Sequence, residues 1–142
     1  MNEWLGLLRS FAVYWRPGRQ RGLQELYAPL VEEGDLVFDI GAHLGDRTMA
    51  FVGLGARVVA FEPQPLIVRW LRRVVRGHGR VTIREEAVGR ERGTARLAVS
   101  RRTPTVSTLS ARWQERVAEG NPGFERVRWD QAVEVPVQVA RD

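Results

Sequence analysis

Apolar residues in the first 33 positions recur at the spacing of a helix. One set predicts an amphipathic helix over residues 3–15, namely Trp4, Leu7, Leu8, Phe11 and Trp15. The pair Pro17-Gly18 ends this helix, and a second set predicts another helix that ends near Gly34: Leu23, Leu26, Tyr27 and Leu30. We expect both helices to pack against the domain that follows. Because aromatic residues and arginines mix in the first helix, a membrane-surface or partner-binding role is its alternative interpretation.

Two short apolar runs without alternation mark the first strands. They are Leu36–Ile40 (LVFDI), interrupted only by Asp39, and Arg57–Phe61 (RVVAF). Continuous runs of this kind are typical of strands that are buried on both faces of a parallel sheet. A third strand is expected to begin at Val81 and to run to about Glu86.

Helical patterns separate these strands. Asp46 is expected to cap a helix over residues 46–54, which Gly55 closes. A further helix ends at Gly77 and is marked by Ile67, Val68, Leu71, Val74 and Val75. The order strand, helix, strand, helix, strand predicts an α/β fold with a doubly wound parallel sheet.

The pattern changes after Val88. Residues 94–100 and 133–139 alternate between apolar and polar positions and predict two more strands, the first of which follows a turn over residues 89–93. Because proline cannot donate to a strand ladder, Pro136 should place the last strand at an edge or a bulge.

A short helix over residues 111–119 and a turn over residues 121–123 complete the expected elements. The chain has 142 residues, which is enough for one domain with a hydrophobic core. We divide it into N-terminal helices over residues 1–33, which pack on the domain, and a sheet domain over residues 34–142.

The composition narrows the class of protein. Apolar residues make up 44% and charged residues 27%, which is typical of a soluble globular protein. No apolar run is long enough to span a bilayer, and Arg9 inside the N-terminal apolar stretch argues against a secretory signal. The absence of cysteine is compatible with a cytoplasmic location. Since His43 and His78 are far apart in the sequence, we expect no metal site.

All the basic residues behind the net charge of +5 are arginines, because the chain contains no lysine. These arginines are spread along the chain, with small clusters over residues 16–21 and 69–76. We therefore interpret them as a solvated basic surface and expect no nucleic-acid partner.

The first strand runs into a glycine turn with an acid on each side, in the stretch LVFDIGAHLGDRT. Asp39 comes near the end of the apolar run, Gly41 and Gly45 follow four residues apart, and Asp46 opens the next helix. Glycines let a ligand approach the backbone, and free N–H groups at a helix start attract negative or polar groups. Since ligands of open α/β sheets bind at the carboxyl ends of strands, this turn is the candidate ligand site.

The turn does not fit the common phosphate-binding patterns. The dinucleotide fingerprint requires glycines where this chain has His43 and Asp46, and Asp46 would repel a pyrophosphate. The kinase-type phosphate loop requires a lysine. A ligand with positive charge and hydroxyls fits better, and S-adenosylmethionine has an ammonium, a sulfonium and a ribose but no phosphate. We expect His43 to shape the loop rather than to act as a catalytic base.

Carboxylates at the strand ends suit that ligand. Asp39 would face its amino-acid end, and Glu62 would accept hydrogen bonds from the two ribose hydroxyls. Glu85 and Glu86, at the end of the third strand, would lie near the adenine. The alternatives are structural: Asp39 as a buried turn-former, Glu62 as a cap before Pro63, and Glu85 with Glu86 as solvated charges.

Two stretches resemble FkbM-type methyltransferases, which are class I, Rossmann-like enzymes that use S-adenosylmethionine. They are VFDIGAHLGDRTMAFVGLGARVVAFEPQP and VTIREEAVGRERGTARLAV, and the resemblance covers residues 36 to 139. It is carried by the combination Asp39-Ile40-Gly41-Ala42, Gly45-Asp46, Phe61-Glu62-Pro63 and Ala87-Val88-Gly89. His43 stands where the family often has asparagine.

The resemblance implies methyl transfer to a hydroxyl of a small molecule or a sugar, without identifying a catalytic residue. Asp39, Gly41 and Gly45 would contact the methionine end of the cofactor. Glu62 would hold the ribose, and Glu86 would lie beside the adenine. The full set of implied cofactor-binding residues is Asp39, Gly41, Ala42, His43, Gly45, Glu62, Pro63, Glu86 and Ala87.

The chain departs from the family after its last expected strand. In the family a further parallel strand with an acidic motif of the type IDVEG supplies much of the acceptor site, whereas this chain stops at Asp142. The expected fold is therefore truncated after the third core strand, plus a β-hairpin or edge strand. The strand Leu36–Ile40 would lose one neighbour, and the N-terminal helices, the later strands or a second copy of the chain would have to cover it.

Two other functions stay open at this point. One is a non-catalytic module, a truncated protein that binds the cofactor or only a partner chain. The other is an NAD-binding domain, which the missing third glycine of the fingerprint disfavours.

Overall fold

The structure is a computed structural model that describes residues 3–100, 107–110, 112, 114–115 and 127–139. These residues contain four helices: α1 (Glu3–Tyr14), α2 (Arg19–Tyr27), α3 (Asp46–Gly53) and α4 (Pro65–Val74). They contain six strands: β1 (Leu36–Ile40), β2 (Arg57–Phe61), β3 (Val81–Arg84), β4 (Ala87–Gly89), β5 (Gly93–Val99) and β6 (Gln131–Val139). The predicted helix over residues 111–119 lies largely outside the described residues, and the predicted turn over 121–123 lies wholly outside them.

The alternation of strands and helices in the first half produces the predicted parallel sheet. β1, β2 and β3 lie side by side in that order, with Leu36 opposite Arg57 and Val58 opposite Val81. The prediction of a mixed α/β fold with a parallel sheet is confirmed. β3 ends at Arg84, two residues before its predicted end.

A second sheet has the strand order β4-β6-β5. β6 pairs antiparallel with β5 and parallel with β4, and its register with β5 continues without a bulge through Pro136, so the prediction that Pro136 places this strand at an edge or a bulge is wrong. β4 pairs with β6 only from Val137 onward, and at Pro136 the described neighbour is therefore β5 alone. Periodicity does not indicate β4, because this strand has only three residues.

The helices pack on one face of the β1-β2-β3 sheet. Val58 and Ala60 of β2 are buried on this face, where α3 and α4 cover them, the latter through Leu71. α1 then lies on α4, and Leu7 meets Ile67 there. The removal of these apolar side chains from water is the main stabilising contribution to this half of the molecule.

The opposite face of the same sheet carries apolar side chains that no described helix covers. Leu36, Phe38 and Ile40 of β1 point to it, with exposed fractions of 54, 50 and 54%. Phe61 lies beside Phe38, with ring centroids 6.1 Å apart. The prediction that β1 is buried on both faces is therefore wrong for the described part of the chain, which lacks the second helix layer of a doubly wound sheet.

β1 is an edge strand within the described residues, since it pairs with β2 alone. Two of the elements expected to cover it do not do so. The N-terminal helices lie on the helix-covered face, and β6 belongs to the second sheet. None of the helices in the described part of the chain is long and apolar enough to cross a membrane.

Candidate functional site

The loop between β1 and α3 is a tight turn with three left-handed residues: Gly41 (φ 75°), His43 (φ 51°) and Gly45 (φ 80°). Glycine adopts this conformation freely, whereas a histidine there is uncommon. The N–H groups of Gly41 and Ala42 both donate to the carbonyl oxygen of Phe61, at 2.9 Å each. The loop therefore folds over the carboxyl end of β2.

Glu62 follows β2, and only 2% of it is exposed. Its Oε2 accepts a hydrogen bond from the backbone N–H of His43 at 3.0 Å, and its Oε1 accepts one from the backbone N–H of Gln64 at 2.9 Å. Burial raises the pKa of Glu62 to about 7, although the two backbone donors act in the opposite direction. The carboxylate thus ties the loop to the segment that starts α4.

Asp39 lies near the end of β1, and its contacts are with α3. Its Oδ2 accepts a hydrogen bond from the hydroxyl of Thr48 at 2.6 Å, and Arg47 Nε lies 3.9 Å from its Oδ1. Burial raises the pKa of Asp39 despite both contacts. The carboxylate of Asp39 therefore fixes α3 against the loop, which corresponds to the structural alternative for this residue.

His43 is buried in the loop, and neither of its ring nitrogens has a hydrogen-bond partner among the described groups. The ring of Tyr14 lies nearby, with centroids 5.2 Å apart. Burial lowers the pKa of His43 to about 4, so the imidazole is neutral at neutral pH. A neutral imidazole has one donor and one acceptor, and His43 can offer both to a polar group that enters the loop.

Residues 14–20, which run from the end of α1 into the first turn of α2, lie against the loop, and we call them the strap. Trp15 Nε1 donates to the carbonyl oxygen of Leu44 at 3.2 Å. Arg19 Nε donates to Asp46 Oδ2 at 2.7 Å. The strap therefore contacts the loop at Leu44 and at Asp46 and holds it in place.

Asp46 does not cap α3 as predicted. Gly45 precedes the helix in a left-handed conformation, and Asp46 is the first helical residue. The carboxylate of Asp46 pairs with Arg19, and its carbonyl oxygen accepts a hydrogen bond from Gln20 Nε2 at 2.7 Å. The physical reason is that a cap residue precedes the helix, whereas Asp46 already lies inside it, where Arg19 reaches its carboxylate.

These elements enclose a hollow of about 200 Å³. It is lined by Tyr14, Gly41, His43, Asp46, Arg47, Glu62, Pro63, Gln64, Leu97 and Ser107. The predicted cofactor-binding residues among these are Gly41, His43, Glu62 and Pro63. Asp39, Ala42 and Gly45 belong to the strand end and loop beside the hollow and do not line it.

The structure does not bring the last two predicted site residues to this hollow. Glu86 pairs with Arg84, whose Nη2 lies 2.8 Å from Glu86 Oε1, and Glu85 pairs with Arg72 on the surface. Ala87 is buried in the core of the second sheet. The third strand therefore contributes none of its terminal residues to the lining.

The sequence did not predict three residues that line the hollow, because they come from other parts of the chain. Tyr14 comes from the end of α1 and Leu97 from β5. The hydroxyl of Ser107 donates to the side-chain oxygen of Gln64 at 3.0 Å, which closes the hollow on that side. The aromatic character of α1 was a signal for Tyr14, whereas Leu97 and Ser107 have no signal in the sequence.

The hollow has the character of a polar binding site with charges of both signs. Asp46 and Glu62 contribute carboxylates, of which Asp46 is paired with Arg19, and Arg47 contributes a partly exposed guanidinium. Among the described residues, no three His, Asp or Glu side chains are grouped so that they could hold a metal ion. The sequence matches no protein-family model and no curated protein. The geometry of the loop and the hollow, together with the motif resemblance, therefore carries the functional proposal.

Proposed function

We propose that this protein is an S-adenosylmethionine-dependent methyltransferase of the FkbM type, acting on a hydroxyl of a small molecule or a sugar. Its parallel sheet would be part of a doubly wound, Rossmann-like class I domain. The observation that carries the proposal is the buried carboxylate of Glu62 at the end of β2, set against the glycine turn that ends β1. The order of strands and motifs supports the same fold.

Glu62 has acceptor capacity for a ribose hydroxyl. A carboxylate has about four lone-pair sites, and three donors already reach it: the backbone N–H groups of His43 and Gln64 and the side chain of Gln64. One site stays free, and a second becomes free where a ribose hydroxyl takes the place of the Gln64 side chain. Because Glu62 lines the hollow, a ligand placed there reaches its carboxylate. This residue fits the proposed cofactor.

The rest of the hollow fits a polar part of the cofactor. The charge of Asp46 is paired with Arg19, and His43 offers a donor and an acceptor. The hollow, at about 200 Å³, is smaller than the roughly 300 Å³ at which small-molecule sites begin. It therefore holds only part of S-adenosylmethionine. Asp39 would act on the methionine end through the loop that it supports, without touching it.

When bound, the cofactor would supply the methyl group for transfer to an oxygen nucleophile. The described residues contribute binding and orientation. Glu62 binds the loop through the N–H of His43, and Asp39 binds α3, which follows the loop, through the hydroxyl of Thr48. The strap holds the loop through the hydrogen bond from Trp15 to Leu44. In a transfer of this kind much of the rate comes from holding the reacting groups in position. We assign no catalytic base.

Replacing Glu62 with alanine should weaken the binding of S-adenosylmethionine by at least about tenfold, because two charge-assisted hydrogen bonds are lost. Titration calorimetry at a pH above the pKa of Glu62 measures the change. Glu25→Ala, which removes an exposed carboxylate from α2, is the matched control and should leave the affinity unchanged. An unaltered affinity in a folded Glu62→Ala protein would remove Glu62 from the ribose role.

Cofactor binding alone does not distinguish an enzyme from a non-catalytic module. Incubation with isotopically labelled S-adenosylmethionine and a set of hydroxyl-bearing acceptors does. A labelled acceptor supports the methyltransferase, whereas intact binding without any labelled product supports the non-catalytic module.

The uncovered β1 edge and face favour a second candidate function, the binding of a partner chain. We propose that this partner is a second copy of the protein. Glu32, Glu33 and Asp35 precede β1, and Arg47 lies near its carboxyl end. Antiparallel pairing of two β1 edges would therefore bring opposite charges together and pair the backbone N–H and C=O groups that the β1 edge leaves open.

Sedimentation equilibrium of the full chain should then show a dimer, and Phe38→Asp should dissociate it, because like charges from the two copies would come together across the paired strands. Thr94→Asp, at an exposed position of β5, should leave the dimer intact. A wild-type protein that stays monomeric as its concentration is raised rules out this candidate.

A further inference from the structure

α1 exposes an apolar stripe on its outer side. Trp4, Leu5 and Leu8 form this stripe, with exposed fractions of 61, 57 and 62%. The packing side of the helix lies elsewhere, where Leu7 is buried against Ile67 of α4. The helix thus carries more apolar surface than the described part of the chain covers, which is unusual for the surface of a monomer.

Arginines border the stripe. The ring of Trp70 on α4 lies 6.0 Å from the ring of Trp4, and the guanidinium of Arg73 lies 4.5 Å above the ring of Trp70. The exposed arginines on and just after α4 are Arg69, Arg72, Arg73 and Arg76. Arg72 pairs with Glu85, but the sequence of α4 itself has no acidic residue. An apolar stripe and a basic row therefore lie side by side.

An apolar stripe beside a basic row is complementary to the surface of an anionic bilayer. Tryptophan and leucine enter the boundary between headgroups and acyl chains, and arginines bind the lipid phosphates. A nucleic acid would also attract the arginines, but it would gain nothing from Leu5 and Leu8. The net charge of +5 adds attraction to a negative surface at longer range.

We propose that the stripe and the arginines of α4 form a membrane-surface site, through which α1 lies in the plane of a bilayer that carries anionic lipids. α1 has 12 residues, so it is suited to lie at the interface and not to cross the bilayer. Its last residue, Tyr14, lines the hollow, and the membrane-bound helix is thus also a wall of that site. The inference does not depend on methyl transfer, because it uses neither Glu62 nor the loop.

Sedimentation of the full chain with lipid vesicles tests the proposal. Binding should be at least about tenfold stronger to phosphatidylcholine vesicles with about 30% phosphatidylglycerol than to pure phosphatidylcholine vesicles, and added salt should weaken it. The double substitution Leu5→Gln and Leu8→Gln should weaken binding to the anionic vesicles by about tenfold or more. The double substitution Arg69→Gln and Arg73→Gln should weaken it by at least a similar factor, because each arginine near the surface adds about fivefold.

The matched control removes the same charge elsewhere, by Arg21→Gln and Arg90→Gln at exposed positions, and should cause a much smaller loss. Circular dichroism verifies that each variant is folded. Equal binding to both kinds of vesicle, an equal loss in the control, or undiminished binding after the leucine substitutions would overturn the proposal. Self-association without lipid that the leucine substitutions abolish would also overturn it, since the stripe would then be an interface between copies.

Discussion

Replacing His43 with asparagine should make the free energy of unfolding fall with rising pH, relative to the wild type. Burial lowers the pKa of His43 to about 4 from an ordinary 6.5. Between these values the unfolded chain binds a proton that the folded protein does not bind, so His43 costs stability at low pH only. Asparagine removes that cost and tolerates the positive φ of this position. The gain at low pH, about 3 kcal/mol at most, disappears as the pH rises to 6.5.

Replacing Glu62 with glutamine should make the free energy of unfolding rise with pH, relative to the wild type. Burial raises the pKa of Glu62 to about 7 from an ordinary 4.5. The stability linked to Glu62 is present below pH 4.5 and is lost as the pH rises through about 7, because the unfolded chain ionises first. Glutamine removes this loss, so stability should rise with pH relative to the wild type by about 3 kcal/mol across that range.

Urea unfolding at a series of pH values measures both effects. In the wild type, His43 makes the free energy of unfolding rise with pH, whereas Glu62 makes it fall with pH, so the two effects oppose each other. Each single variant removes one of these effects and reveals the other. Asp39, whose pKa is also raised, contributes to every profile and drops out of the comparison with the wild type. Profiles of the two site variants that run parallel to the wild type would contradict the burial of these groups.

Replacing Gly45 with alanine should destabilise the protein by about 2–4 kcal/mol. Gly45 has φ 80°, where a side chain is strained, and a Cβ there would lie 2.7 Å from Leu71 Cδ1. Leu71 is completely buried in the core between α4 and the sheet, so its methyl group can move only by displacing its core neighbours. The added atom therefore forces the loop and α4 apart, and chemical denaturation measures the cost.

Gly41→Ala is the matched control in the same loop. Gly41 has a similar φ of 75°, but a Cβ there would meet no atom within 4 Å. Only the backbone strain applies, so the expected loss is about 1 kcal/mol. Equal losses of stability in the two variants would show that the close approach of α4 to Gly45 does not add to the cost of a side chain at this position.

The strands and the loop could be predicted from the sequence because their signals are local. The runs LVFDI and RVVAF are continuous and apolar, and both became neighbouring parallel strands. Gly41 and Gly45 are the positions where a left-handed backbone was required, and both adopt it. Glu62 at the end of the second strand is buried as a carboxylate that faces the same hollow as Gly41.

The remaining features depend on contacts between distant residues, which local patterns do not reveal. Asp46 looked like a helix cap because its partner Arg19 lies 27 positions earlier in the chain. Pro136 looked like an edge residue, although the alternation of β6 does not indicate which strands flank it. Glu86 was expected to lie beside the adenine, but its carboxylate forms an ion pair with Arg84, at the end of the same strand.

The uncovered face of β1 could not be predicted for a related reason. A continuous apolar run indicates that both faces avoid water, but it does not identify what covers them. In the described part of the chain the helices cover one face, and Leu36, Phe38 and Ile40 remain exposed on the other.

The binding of S-adenosylmethionine by the loop and Glu62 is most directly tested by titration calorimetry of the wild-type chain at neutral to slightly alkaline pH. Parallel titration with NAD tests the dinucleotide alternative in the same experiment. We expect saturable heat from a single class of sites with S-adenosylmethionine and none with NAD. The absence of heat with S-adenosylmethionine, on protein shown to be folded, would contradict the proposed function.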